Sequence, residues 1–107
     1  MSDPTVLTAA DDGKAVDLRA GSLLVIRLPE NPSTGYQWDI HADRANVAVE
    51  QRYFVQLSNQ PGGGGESSWS IRAKAPGVTS VRLKLWRPWE DERAAIQRFE
   101  VTLRIAP

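Results

Sequence analysis

At 107 residues the chain has room for one hydrophobic core without metal or disulfide staples. Its 13 basic and 13 acidic side chains cancel and are scattered, so no basic stripe speaks for nucleic acid or an anionic membrane surface. Cysteine is absent, which excludes disulfides, thiolate metal sites and a cysteine nucleophile, and no apolar run approaches the roughly 20 residues of a membrane-spanning helix.

The opening Met1-Ser2-Asp3-Pro4 lacks the charged and apolar segments of a signal peptide. Two expectations follow: a cytoplasmic protein, or a mature periplasmic or secreted one carrying an added initiator. Residues 5–8 and Ala15–Arg19 read as weaker strands joined through Asp11-Asp12-Gly13. From Ser22 onward a period of two dominates. Leu24, Ile26 and Leu28 alternate with polar or smaller neighbours, as do Tyr36, Trp38 and Ile40. Val47 and Val49 follow, then Tyr53, Val55 and Leu57 in the same phase. Trp69, Ile71, Ala73 and Ala75 come next, then Val81, Leu83 and Leu85, and finally Phe99, Val101, Leu103 and Ile105. Half-buried antiparallel strands read this way, one face on a core and one in water. Trp38 and Trp69 are assigned to that core or its margin. A helical turn is expected only at residues 91–95. The expected fold is all-β, an immunoglobulin-like antiparallel β-sandwich of about seven or eight strands, with residues 1–107 as a single domain.

Plain turns are expected at Ala20-Gly21, His41-Ala42-Asp43 and Ala75-Pro76-Gly77. Three other connections are not plain: Asn31-Pro32-Ser33-Thr34-Gly35-Tyr36, Gly62-Gly63-Gly64-Gly65 and Arg87-Pro88-Trp89. Successive strands of an antiparallel sandwich reverse direction, so alternate connections emerge at one end. These three are alternate connections, which predicts a single decorated rim.

Each segment has a binding reading and a bland one. Pro32 fixes φ at about −65° and Asn31 can bond the local backbone, so Ser33 and Thr34 present hydroxyls on a stiff support. The bland alternative is an ordinary turn. Four successive glycines lose much entropy on ordering, which makes sense where a partner's backbone must lie close. Otherwise they form a solvated loop tip. Trp89 and Arg87 are residue types enriched at binding hot spots, and Trp86 next door extends the apolar patch. The alternative tucks Trp89 onto the sandwich edge and pairs Arg87 with Glu90 or Asp91. His41 reads as a surface turn residue at the far end, and Glu90, Asp91 and Glu92 as a solvated charge run. No metal set has usable spacing, no cofactor is expected and no catalytic triad is possible near the rim.

Together, the three segments resemble the signature of the chagasin-type inhibitors of papain-family cysteine peptidases. That signature runs Asn-Pro-Thr-Thr-Gly-Tyr/Phe, Gly-x-Gly-Gly and Arg-Pro-Trp/Phe, in this order, on an immunoglobulin-like sandwich. Only Ser33 departs, standing where the family has threonine and keeping the hydroxyl. The resemblance implies a reversible, competitive protein inhibitor, monomeric and not an enzyme, whose partners are papain-family peptidases. It further implies that Ser33 and Thr34 enter the cleft beside the catalytic cysteine and histidine. The glycine segment would run along the substrate-binding side, and Arg87, Pro88 and Trp89 would grip the other wall. The alternative is an immunoglobulin-like adhesion or carbohydrate-binding module using the same rim, with Trp89 as a stacking platform.

Overall fold

The computed structural model describes residues 4–57 and 64–107, and eight strands account for most of them. In chain order these are β1 (Thr5–Leu7), β2 (Ala15–Arg19), β3 (Leu23–Glu30), β4 (Gln37–Ala42), β5 (Val47–Gln56), β6 (Gly65–Ala73), β7 (Gly77–Trp86) and β8 (Gln97–Ala106). They form two four-stranded sheets, ordered β1-β3-β6-β5 and β2-β8-β7-β4. The alternating residues of the inner strands meet between the sheets. Leu24, Ile26 and Leu28 of β3 and Trp69 and Ile71 of β6 face Trp38 of β4, Val81 and Leu83 of β7, and Phe99, Val101 and Leu103 of β8. Burying each large apolar side chain contributes about 1.5–3 kcal/mol, so this one shared core supplies the main driving force for the sandwich.

Three details depart from the expected pattern. The two amino-terminal strands pair in parallel, β1 with β3 and β2 with β8, while every other pairing is antiparallel. A short 3-10 turn at Ala9–Asp11 carries the chain from one sheet to the other, which lets both strands run beside long neighbours without a hairpin. His41 lies within β4, opposite Arg82, and the turn itself falls at residues 43–46, where Asn46 N–H and Val47 N–H both reach the Asp43 carbonyl. In β5 a bulge between Val49 and Gln51 reverses the alternation. Val47 and Val49 face inward, but beyond the bulge Tyr53 pairs with Ser68 and Val55 with Glu66 on the outer face. Tyr53, Val55 and Leu57, expected to lie toward the core, are therefore exposed.

Pairing registers determine which connections share an end. Glu30, the last residue of β3, pairs with Gly65, the first of β6, and Gly65 pairs with Gln56, the last of β5. In the other sheet Gln37 pairs with Trp86 and Leu85 with Gln97. The β3–β4, β5–β6 and β7–β8 connections thus leave the sandwich at the same end. The turns before β5 and β7 sit at the other.

Candidate functional site: the three-loop rim

The β3–β4 connection is built from its legs upward. Glu30 continues the inward phase of Leu24, Ile26 and Leu28, which places a carboxylate, 7% exposed, at the top of the core. There it accepts hydrogen bonds from Trp38 N–H at 2.8 Å, Ser67 Oγ at 2.7 Å and Arg52 Nη2 at 3.1 Å. One side chain so joins β3, β4, β5 and β6, and both sheets. The Trp38 indole N–H donates to the Pro29 carbonyl at 2.9 Å, closing the two legs of the loop a second time. A buried charge held by several charge-assisted bonds is a rigid point, because losing any partner exposes a large desolvation cost.

Above this base, residues Pro32–Thr34 form one 3-10 turn. Asn31 caps it, its Oδ1 accepting from Ser33 N–H at 3.1 Å and from Ser33 Oγ at 2.7 Å. Thr34 Oγ1 donates to the Asn31 carbonyl at 2.8 Å. Both tip hydroxyls therefore donate inside the loop, and Thr34 Oγ1 also accepts from Tyr36 N–H at 3.4 Å. Gly35 ends the turn with φ 82°, a conformation costly for any residue with a Cβ. A Cβ there would also lie 2.9 Å from the outer edge of the Trp89 ring, so a side chain at Gly35 would displace the indole.

The β7–β8 connection leans on this turn. Arg87 donates through Nε and Nη2 to the Thr34 carbonyl at 3.3 and 3.2 Å, and its guanidinium lies 4.3 Å from the centre of the Tyr36 ring. Glu90 flanks Arg87 at 3.7 Å. Further along, Asp91 caps a 3-10 turn at Glu92–Ala94 by accepting from Arg93 N–H at 2.8 Å. The Arg93 side chain first, and its N–H second, hold the Asp91 carboxyl below the usual aspartate range. Pro88 is exposed, and Trp89, 73% exposed, rests one edge on Gly35 and turns the rest of its ring to solvent. Trp86 is half-buried, with the Lys84 ammonium 4.2 Å from its ring centre, so a cation occupies the ring face that was expected to widen the apolar patch.

Of the glycine segment, Gly62 and Gly63 lie outside the described residues. Gly65 could not carry a side chain, since a Cβ would run into the Val55 carbonyl and the Phe54 ring. Gly64 differs: a Cβ there would meet nothing closer than the Glu30 carbonyl at 3.8 Å. The fold makes no demand for glycine at Gly64.

Asn31, Thr34 and Tyr36, Gly64, and Arg87 with Ile96 line one open recess of about 490 Å³ between the loops. The predicted segments are thus brought together around a common mouth. Two participants escaped the sequence reading. Ile96 carries no motif, but Glu30 had a signal: it falls in phase with three core residues, an unusual place for a carboxylate. Among the described residues no three His, Asp or Glu side chains come together as a metal site.

Comparison with known proteins gives these features a context. The model of the family described as Chagasin family peptidase inhibitor I42 matches residues 17–103. Chagasin of Trypanosoma cruzi is 32% identical over 104 residues, spanning 92% of this chain and 94% of that protein. Among solved structures, the cysteine protease inhibitor EhICP2 of Entamoeba histolytica superposes with a TM-score of 0.88 at 24% identity, covering 95% of each chain. PbICP-C, solved in complex with falcipain-2, gives a TM-score of 0.64 at 19% identity, covering 97% of this chain and 90% of that one.

Proposed function

The chain belongs to the chagasin family of peptidase inhibitors, and from that premise we propose that it blocks papain-family cysteine peptidases by setting its three-loop rim into the active-site cleft. The observation that carries this is the cross-bracing of the rim: Arg87 holds the Thr34 carbonyl, and Trp89 sits on Gly35. Loops already bonded to one another have little left to order on binding, where each immobilised side chain would otherwise cost about 0.5–1.5 kcal/mol. The turn bearing Ser33 and Thr34 enters beside the catalytic cysteine and histidine. Gly64, with its neighbours Gly62, Gly63 and Gly65, brings main chain close to the substrate-binding side. Arg87, Pro88 and Trp89 engage the opposite wall.

The same geometry explains why the inhibitor is not cut. A substrate lies extended across the cleft with its scissile carbonyl free to be polarised. Residues Pro32–Thr34 are wound into a 3-10 turn, and the Thr34 carbonyl already accepts two bonds from Arg87. Asn31 and Tyr36 hold the two ends of that turn, and the whole chain acts as one inhibitor domain.

A fluorogenic peptide assay with papain tests this. Rising inhibitor should raise the apparent KM with kcat unchanged, reversibly on dilution. Thr34→Ala and Gly64→Glu should weaken inhibition, the second because a charged side chain fills the main-chain approach. An adhesion or carbohydrate-binding module would leave turnover untouched, and that result would refute the assignment.

A further inference from the structure

Among the described residues eight large hydrophobic side chains are exposed, and their distribution is uneven. Trp89 and Ile96 belong to the rim. Four more, Tyr53, Phe54, Val55 and Leu57, fall in one five-residue run on the strand that leads into the glycine segment. The bulge between Val49 and Gln51 is what exposes three of them. By reversing the alternation it turns Tyr53, Val55 and Leu57 away from the core and onto the outer face, 52%, 54% and 70% exposed. Nothing within the described fold covers them: their cross-strand neighbours on β6 are Ser68 and Glu66, and β5 is the edge of its sheet.

A long edge strand of this composition is a liability that proteins ordinarily blunt with charge or proline. Between Tyr53 and Leu57 there is neither, in a chain 24% charged overall. Retaining such a stripe makes physical sense if something covers it in the working state. At about 3.3 Å per residue it runs about 13 Å down the flank from the rim. Its upper end, Leu57, is bonded through its N–H to the Gly64 carbonyl at 3.2 Å, so stripe and rim form one continuous surface.

We infer that the outer face of β5, Tyr53, Val55 and Leu57, is a second docking surface that packs on an apolar shoulder of the target peptidase beside its cleft. This rests on the rim being the cleft-blocking element, and it adds a contact outside the cleft that shapes which peptidases are held tightly. The rim plugs a feature common to the enzyme class, whereas the stripe meets surface beyond it.

The absence of cysteine makes a direct test simple. Val55→Cys provides a single thiol for a polarity-sensitive fluorophore, and Val78→Cys, exposed at the other end, serves as control. On adding papain with its catalytic thiol already blocked, the probe at position 55 should shift to the blue and the probe at 78 should not. In parallel, the triple variant Tyr53→Ser, Val55→Thr, Leu57→Ser should keep its fold by circular dichroism and raise Ki for papain at least tenfold, and Val78→Thr should leave it unchanged. A silent probe at 55, or a triple-variant Ki within twofold of the parent, would overturn the second surface even if Trp89→Ala still weakens inhibition. Light scattering that finds the parent dimeric and the triple variant monomeric with Ki unchanged would assign the stripe to a second copy instead. Failure of the unsubstituted chain to inhibit at all would remove the cleft-blocking reading and this inference with it.

Discussion

The two ends of the sandwich are braced by different chemistry. At the end bearing the plain turns, most links are backbone to backbone, and side-chain links there, such as Arg72 Nη1 to the Gly21 carbonyl at 2.8 Å and Lys74 Nζ to the Arg44 carbonyl at 3.0 Å, also end on main chain. Lys74 N–H and Ala75 N–H donate to the Asn46 carbonyl at 2.8 and 3.2 Å, Gly21 N–H to the Ala73 carbonyl at 2.8 Å, and Ala73 N–H to the Ser22 carbonyl at 2.9 Å. At the rim the links run through side chains: Glu30 beneath, Asn31 within the turn, Trp38 across its legs and Arg87 from the neighbouring loop. Backbone bracing survives most substitutions, because any residue but proline supplies an N–H and every residue a carbonyl. Side-chain bracing survives few. The rim is therefore where residue identity carries the most information, and the other end is where it carries less.

This contrast can be broken first at Glu30. Glu30→Ala strands the buried Trp38 N–H and Ser67 hydroxyl at the top of the core and leaves Arg52 without its partner, and losing such a set costs about 3 kcal/mol. Thermal unfolding should show a Tm drop of more than 10 °C, taking about 4–8 °C per kcal/mol for a domain of this size, together with loss of inhibition. Asn46→Ala at the other end retains the carbonyl that does the bracing and should shift Tm by only a few degrees with Ki unchanged.

A smaller loss of stability is expected from Gly35→Ala. The left-handed backbone should cost about 1–3 kcal/mol, and Ki should rise because a Cβ 2.9 Å from the indole pushes it off its seat. Trp89→Ala sharpens the comparison further. The ring is mostly in water, so stability should stay within about 0.5 kcal/mol, while an aromatic hot spot of this kind is worth about 2 kcal/mol or more, near thirtyfold in Ki.

The smallest effect is that of pH on the β7–β8 loop. Asp91 has its folded pKa depressed by Arg93, so its contribution is present above the unfolded value and is lost as pH falls through the folded one. Carboxyl NMR should find Asp91 titrating below the ordinary aspartate value of about 3.9, with Trp89 signals shifting over the same range. Asp91→Asn should abolish that coupled shift.

The same contrast accounts for what could be read from the chain. Strands with one buried face announce themselves, and so β3, β6, β7 and β8 were legible throughout, although not which of them pair. The rim segments were legible because glycine, proline and asparagine have narrow conformational uses. Three things were not. The bulge in β5 leaves no mark, since Val47, Val49, Tyr53, Val55 and Leu57 keep one phase in sequence while switching faces in space. Parallel pairing of β1 and β2 depends on distant partners, which local pattern does not encode. The tip hydroxyls of Ser33 and Thr34 were legible as a pair on a stiff support, but only the geometry at Asn31 reveals that both donate within the loop.

The cleft-blocking claim is tested most directly by alkylation of papain's catalytic thiol with iodoacetamide in the presence of a stoichiometric excess of this protein. Mass spectrometry should then find the thiol unmodified, with alkylation returning when Trp89→Ala replaces the parent at a concentration above the parent's Ki and well below about thirty times that value. Alkylation at the uninhibited rate while peptide turnover is suppressed would contradict the account, because it would mean that inhibition arises away from the cleft.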